Sequence, residues 1–245
     1  MKNIKLTIQY IGTNFFGFQS QPKLRTVQSE LEKALTKTFK EDIKVVAAGR
    51  TDVGVHAFGQ VVNFYAPKTT IDIGNMPKVI NYHLPDDLSI SNAEYMPKDF
   101  SARYNALGKH YRYIIYNSRY RNALYVNRAA MCPHKLDIEL MKEGAKYFIG
   151  RKDFKSFMGK KSVVKDSIRI LNHIDIDRTK DIIYLNYYGK SFLRNMLRII
   201  TGTLVEIGRG RIAPEDVPEI LNAKRRTAAG PTLDASGLYL MKVFY

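Results

Sequence analysis

The sequence predicts an α+β protein made of two consecutive β-α-β-β-α-β units. Three observations carry that reading. Apolar residues switch from alternate to helical spacing and back, in the same order, twice along the chain. Its 245 residues suffice for one large domain or two small ones with a genuine core. No stretch rich in Gly, Ser or Pro separates the halves, so they are expected to share a continuous sheet or a tight interface.

The elements follow in order. Ile4, Leu6, Ile8 and Tyr10 alternate with Lys5, Thr7 and Gln9, a half-buried strand. Val27, Leu31, Ala34, Leu35 and Phe39 have helical spacing, with Thr26 as N-cap. Strands are predicted over 43–48 and 60–65, a short helix over 76–82 and a strand over 88–96. The second half starts with a strand over 110–117. Ile138, Met141, Ala145 and Phe148 then define a helix capped by Asp137. Strands over 168–177 and 182–188 flank a turn, a long helix is predicted over 191–207, a short one over 214–221 and a last strand over 237–244. This is the ferredoxin-like order used twice, without repetition of the residues themselves. The halves are expected to be 1–105 and 106–245, joined near 100–109, with a basic cleft between them as the ligand site.

Composition narrows the partner. Lys and Arg number 39 against 23 Asp and Glu, a formal net charge of +16. That balance favours an anionic partner, nucleic acid ahead of an acidic membrane surface. The cations cluster. Residues 109–128 hold five Lys/Arg and no acid, and 151–169 hold seven against Asp153 and Asp166. Tyr111, Tyr113, Tyr116, Tyr120, Tyr125, Phe154 and Phe157 are interleaved with them. Cations for phosphate beside rings for stacking suit single-stranded or looped RNA better than a uniform duplex. Some of those rings must serve the core. Cys132 is the one cysteine, which excludes an intrachain disulfide and a multi-cysteine zinc site. The N-terminal residues alternate like a strand and form no long apolar block, so a cytoplasmic protein is expected.

The stretch Ala48-Gly49-Arg50-Thr51-Asp52-Val53-Gly54-Val55-His56 lies between two predicted strands. Alone, Arg50 to Gly54 reads as a hairpin-like loop, because Asp and Gly are turn residues. Gly49, Gly59 and His56 imply a more elaborate loop than the roughly two to five residues a hairpin needs. Asp52 also calls for a reason, since a carboxylate on a phosphate-attracting surface is repelled by the same ligand. Covalent chemistry on a nucleotide supplies one. Tyr111, Tyr113 and Ile115 share one strand face; Tyr111 is then either a core aromatic or a ring at the cleft edge against a base. Arg194 and Arg198, four apart on the predicted long helix, share a face among Phe192, Leu193, Met196, Leu197 and Ile199. An arginine in such company needs a partner or a phosphate, and Arg198 is the more enclosed. The five histidines show no ligand spacing, and neither a phosphate-binding Gly-rich loop nor a G-x-S-x-G elbow is present.

These residues together resemble the tRNA pseudouridine synthase A family. The likeness includes Gly49 to His56 with Gly59-Gln60-Val61-Val62-Asn63-Phe64, and Tyr10 and Gly12 with Gly17-Phe18-Gln19. It continues through Val27-Gln28, Leu31 to Leu35, Asp99-Phe100-Ser101-Ala102-Arg103 and Tyr111-Arg112-Tyr113. Asp153-Phe154 with Ser156-Phe157, Phe192 with Asn195-Met196 and Arg198, and Gly237-Leu238-Tyr239-Leu240 complete it. The resemblance implies a pseudouridine synthase fold and an isomerase without cofactor or metal. Such enzymes convert uridines at positions 38 to 40 of the tRNA anticodon arm into pseudouridine, as homodimers with tRNA across both subunits. It matches Asp52 to the catalytic aspartate and Arg198 to the arginine paired with it. Among substrate-binding positions it matches Tyr111 to the ring stacked on the target base and Arg50 to a basic residue that helps flip it, and it adds Leu240. Ile11, Phe18 and Val53 depart from the family's usual Asp, Trp and Ala, and none removes a group the reaction needs.

The chemistry agrees. Uracil must leave its stack, which calls for base flipping onto an aromatic shelf. An ionised carboxylate can act as nucleophile, or as base and stabiliser at C1′. Arg198 would keep Asp52 ionised against desolvation. A non-catalytic RNA-binding protein of two ferredoxin-like modules would explain the charge, the aromatics and the fold, but not Asp52. A single-strand nuclease is opposed by the scattered histidines and the lack of a carboxylate cluster.

Overall fold

The computed structural model describes residues 1–67, 69–159, 164 and 166–245, so Lys160, Lys161 and Lys165 of the second basic run lie outside the described residues. Two compact units emerge, Met1–Leu107 with Tyr239–Tyr245, and Gly108–Leu238. The last strand, expected in the second half, thus belongs with the first.

In the first unit β1 (Lys2–Tyr10) lies between β3 (His56–Ala66) and β4 (Leu88–Met96), antiparallel to both. β2 (Val46–Ala47) pairs with β3 at Asn63 and Val62, which gives the ferredoxin-like strand order 4-1-3-2. The alternation read from β1 is real: Ile4, Leu6 and Ile8 are fully buried, each contributing about 1.5–3 kcal/mol. α1 (Val27–Phe39) starts where the cap was expected, with the Thr26 side chain accepting from Ser29 N–H and Ser29 Oγ taking the Thr26 N–H. It buries Val27, Leu31, Ala34 and Leu35. α2 (Met76–Asn81) precedes β4.

Two strands depart from expectation. The one predicted over 43–48 shrinks to Val46–Ala47 because Val45 N–H donates to the Glu32 carboxylate of α1, 3.2 Å away, not to a neighbouring strand. The one predicted from residue 60 begins at His56, where it gains the last strand, β10 (Leu238–Phe244), in parallel at Tyr239 and Leu240. Gly59 reads as a turn residue, yet it sits inside β3 because a Cβ there would collide with the Met241 carbonyl.

The second unit carries β5 (Gly108–Tyr116), β6 (Ala130–Met131), α3 (Ile138–Lys146), β7 (Gly150–Asp153), β8 (Ile168–Thr179), β9 (Ile182–Gly189), α4 (Met196–Gly208) and α5 (Val217–Asn222). β9 lies between β5 and β8, β7 extends the row beyond β8, all antiparallel, and β6 adds to β5 in parallel. The short β6 and β7 carry too few alternating residues to be read from sequence. Asp137 caps α3, accepting from Glu139 and Leu140 N–H, and the helix ends two residues before Phe148. α3 and α4 touch through glycines: a Cβ on Gly144 would lie 2.6 Å from Ile207 Cδ1, one on Gly208 2.8 Å from Met141 Cγ.

α4 begins at Met196, five residues later than predicted. Asn195 at φ 60° stops the helix on its N-terminal side. Phe192, counted toward helical spacing, instead meets Tyr111 edge-on. Gly202 of α4 is tight against the following segment, where a Cβ would overlap the Pro231 carbonyl. Among the described residues no helix is long and apolar enough to cross a membrane.

These contacts separate two kinds of substitution. Thr26→Ala is expected to cost about 1 kcal/mol in a urea denaturation series, the value of one lost N-cap. Gly202→Ala gains helix propensity on paper, but the overlap with Pro231 reverses the sign and brings a loss of about 3 kcal/mol.

Candidate active site

The loop carrying Asp52 is held at several points within the first unit. At its start Ala48 N–H donates to Val61 O at 2.8 Å, and Gln60 Nε2 donates to Gly49 O at 2.9 Å. In its middle the buried Thr51 hydroxyl meets the Tyr10 hydroxyl at 2.8 Å, and Thr51 O accepts from Phe18 N–H at 3.1 Å. Burial pushes the Tyr10 phenol up to about 12, so it stays protonated and available to that contact at ordinary pH. Then Asp52 O accepts from Val55 N–H at 3.2 Å, closing a turn with Gly54 at φ 80° in its third position, as a type II turn requires. The hairpin-like loop of the sequence is therefore a turn built on Asp52 inside a longer, anchored loop.

A second chain segment backs this one. Gly12 admits no side chain, since a Cβ would overlap the Val55 carbonyl. Gly17, at φ 82°, would place a Cβ 3.0 Å from Thr51 O. The loop end is held by His56, which is 1% exposed; its Nδ1 accepts from Gly12 N–H at 3.1 Å, and its ring stacks on Tyr239 at 4.6 Å. With Nδ1 accepting, the ring proton sits on Nε2. Arg25 braces the same region with two hydrogen bonds to the Asp87 carboxylate at 2.6 and 2.8 Å and its guanidinium 4.2 Å from the Phe15 ring. Hydrogen bonding to Asp87 raises the Arg25 pKa further. These clamps leave Asp52 half-buried between an exposed Arg50 and an exposed Val53.

The second unit positions Tyr111 and Arg198. Tyr111, Tyr113 and Ile115 do share the buried face of β5, as alternation required. Tyr111 is 8% exposed and holds Phe192 edge-on at 5.2 Å. Opposite it on β9, the Tyr187 hydroxyl meets Thr201 of α4 at 2.8 Å. Arg198 is oriented by its own neighbourhood: Nε donates to Leu233 O at 2.7 Å and Nη1 to Asn195 Oδ1 at 3.1 Å. The segment that supplies Leu233 is seated on α4 through Gly230, whose N–H donates to Thr203 Oγ1 at 3.0 Å. Tyr113 donates to Asp234 O at 2.6 Å; burial raises its pKa well above the ordinary value, with the nearby Arg198 charge opposing.

The expected residues thus fall into two groups. Arg50, Asp52 and Leu240 belong to the first unit, Tyr111 and Arg198 to the second. Leu240 pairs beside Ala57, one residue past the loop, and is fully buried. Arg194 is not on α4 at all. It precedes the helix, is exposed, and its carbonyl accepts from Gly159 N–H, which removes the four-residue pairing with Arg198. Of the first basic run, Arg119, Arg121 and Arg128 are exposed, while Arg112 binds Asn186 Oδ1 at 2.8 Å and lies over Tyr184. The clamps Tyr10, Thr51 and His56 and the carbonyl of Leu233 were not read as such from sequence. Gly12 and the Gly230-Pro231 pair are the signals that mark them, because both sit where backbone meets backbone. Among the described residues no three of His, Cys, Asp and Glu gather as a metal site.

Comparison with known proteins identifies the family. A family model described as tRNA pseudouridine synthase matches residues 6–105 and 145–245. A protein of Acetivibrio thermocellus named tRNA pseudouridine synthase A is 42% identical over the full length of both chains. Namesakes from Caldicellulosiruptor bescii, over the full length of both chains, and from Bacillus subtilis, over 99% of this chain and 98% of that one, are each 43% identical. A solved chain of a Cbf5-Nop10-Gar1 complex superposes at a TM-score of 0.38 with 10% identity, over 96% of this chain and 57% of that one, too loosely to add to the assignment. With two matched segments that take in both the Asp52 loop and the Arg198 helix, the chain belongs to the tRNA pseudouridine synthase family.

Proposed function

We propose that this chain is a tRNA isomerase that converts uridines at positions 38 to 40 of the anticodon arm into pseudouridine, with the Asp52 carboxylate at the reacting nucleoside. In this reaction the N-glycosidic bond breaks, the uracil turns, and a carbon–carbon bond forms to the same sugar. Nothing enters or leaves except the proton exchanged at C5. The observation that carries the reading is the clamping of Asp52: hydrogen bonds on both sides and two close glycine approaches hold one half-buried acid on a strongly basic chain. A module that only bound RNA would gain nothing from an acid there.

The remaining roles follow from chemistry and from kinship with proteins of that name. Tyr111 offers its ring to the extruded uracil. Arg198 serves Asp52, its guanidinium preset by Leu233 and Asn195 so that little order has to be gained at the moment of reaction. Arg50, exposed beside Asp52, reaches the RNA and helps hold the base out of its stack. We further place the protein in the cytoplasm, working as a homodimer without cofactor or metal; sedimentation of the pure protein tests the subunit number.

Two measurements check this. Unmodified tRNA carrying tritium at C5 of its uridines is expected to release label without chain cleavage, and tRNA with those anticodon-arm uridines replaced by cytidine is expected to release none. Chain shortening would mean a nuclease, and binding without release a non-catalytic module. Arg198→Ala is expected to bind tRNA within about twofold of the parent while its single-turnover rate falls about 10²–10³-fold. Arg198→Lys should recover little, because an ammonium cannot hold Leu233 and Asn195 and still present a planar fork.

A further inference from the structure

We propose that the second unit holds a separate subsite for one phosphate-bearing nucleotide, in a cavity that contains none of the residues assigned to catalysis. The cavity has a volume of about 310 Å³ and opens between the C-terminal turn of α3, β7 and α5, lined by Tyr147, Lys152, Asp153, Leu221, Asn222 and Lys224. Ligand pockets begin near ~300 Å³, so it fits a phosphate with its sugar or base and little more.

The end of α5 forms one side of this wall. Lys224, at the position after the C-cap of α5, sits at φ 49°, the left-handed conformation in which helices commonly end. That turn sends its ammonium to Asp153 Oδ2 at 3.4 Å and lets Arg225 N–H donate to Ser156 Oγ at 3.0 Å. Asp153 is further engaged by the Ser167 hydroxyl at 2.5 Å and Lys155 N–H at 3.1 Å. Its charge is therefore matched inside the protein. The lining itself carries two cations, Lys152 and Lys224, against that one acid. The wall is positive toward a ligand, chiefly through Lys152.

The chemistry of the lining selects the occupant. Ammonium groups at the wall act as point charges for a phosphate. The Asn222 carboxamide both donates and accepts, as a base edge or ribose hydroxyl requires. The Tyr147 ring, 37% exposed, supplies a stacking face. A merely solvated lysine patch would account for the charge, but not for a cavity with an amide and a ring in its lining. A nucleotide of bound tRNA and a free mononucleotide present the same groups; the former rests on the reading of tRNA as substrate.

Fluorescence anisotropy of labelled tRNA across a salt series, with UMP titrated separately by NMR, distinguishes the sources. Lys152→Ala is expected to weaken tRNA binding and to flatten the dependence of log K on log salt by about one unit, with Lys152→Arg restoring both. Tyr147→Ala should weaken binding at least fivefold with the slope unchanged. UMP shifts confined to the cavity and lost in Lys152→Ala, with tRNA binding unaffected, would assign the site to a free nucleotide. Unchanged tRNA affinity and slope together with no UMP shifts at the cavity would overturn the proposal. The readout is binding alone, so a protein that grips tRNA through Lys152 yet isomerises no uridine would refute the functional reading and leave this one standing.

Discussion

Backbone meeting backbone at Gly12 and Gly17 is the constraint on which the rest depends. The turn after β1 can lie against residues 51–55 only because neither glycine has a side chain. That proximity brings Tyr10 to the Thr51 hydroxyl, Phe18 N–H to the Thr51 carbonyl and Gly12 N–H to His56. Each contact is modest alone, a net 0.5–1.5 kcal/mol for a typical hydrogen bond (roughly). Together they remove the freedom of a loop whose sequence, rich in Gly and Asp, would otherwise permit many shapes. The order of the first unit thereby becomes the geometry of one carboxylate.

Electrostatics sets the surroundings of that carboxylate. A chain of net charge +16 draws a polyanion and holds it. Holding is not chemistry, and an acid on such a surface works against binding. Asp52 is half-buried, opens a tight turn and stands two residues from an exposed Arg50. The second unit repeats the principle with the opposite sign. Arg198 is kept in place by a backbone carbonyl and an amide, neutral acceptors that fix direction without consuming its charge. Groups oriented beforehand lower a barrier more than groups that must be ordered during reaction.

Much of this was legible in the sequence where local physics decides. Alternation in β1, the Thr26 cap and the Asp137 cap are set by residues a few positions apart, and they appear where expected. The buried face of β5 followed from the same alternation. Long-range competition hid the rest. Glu32 captures the Val45 amide across thirteen residues and shortens β2, a choice no window around Val45 reveals. Asn195 in a left-handed conformation cuts α4 short although Phe192 and Leu193 continue its apolar spacing, which is why Arg194 was misplaced. Asp52 stood out by charge and by motif, yet what holds it, His56 stacked on Tyr239, joins positions 183 residues apart.

Whether the acid at the centre of the clamped loop performs chemistry is the central question. Single-turnover conversion of C5-tritiated tRNA by an Asp52→Asn protein, with tRNA affinity measured on the same preparation, decides it most directly. The predicted result is affinity equal to or slightly above the parent's, since a repulsive charge is gone, with the rate down at least about 10³-fold. An Asp52→Asn protein that converts its tRNA at the parental rate would contradict the account.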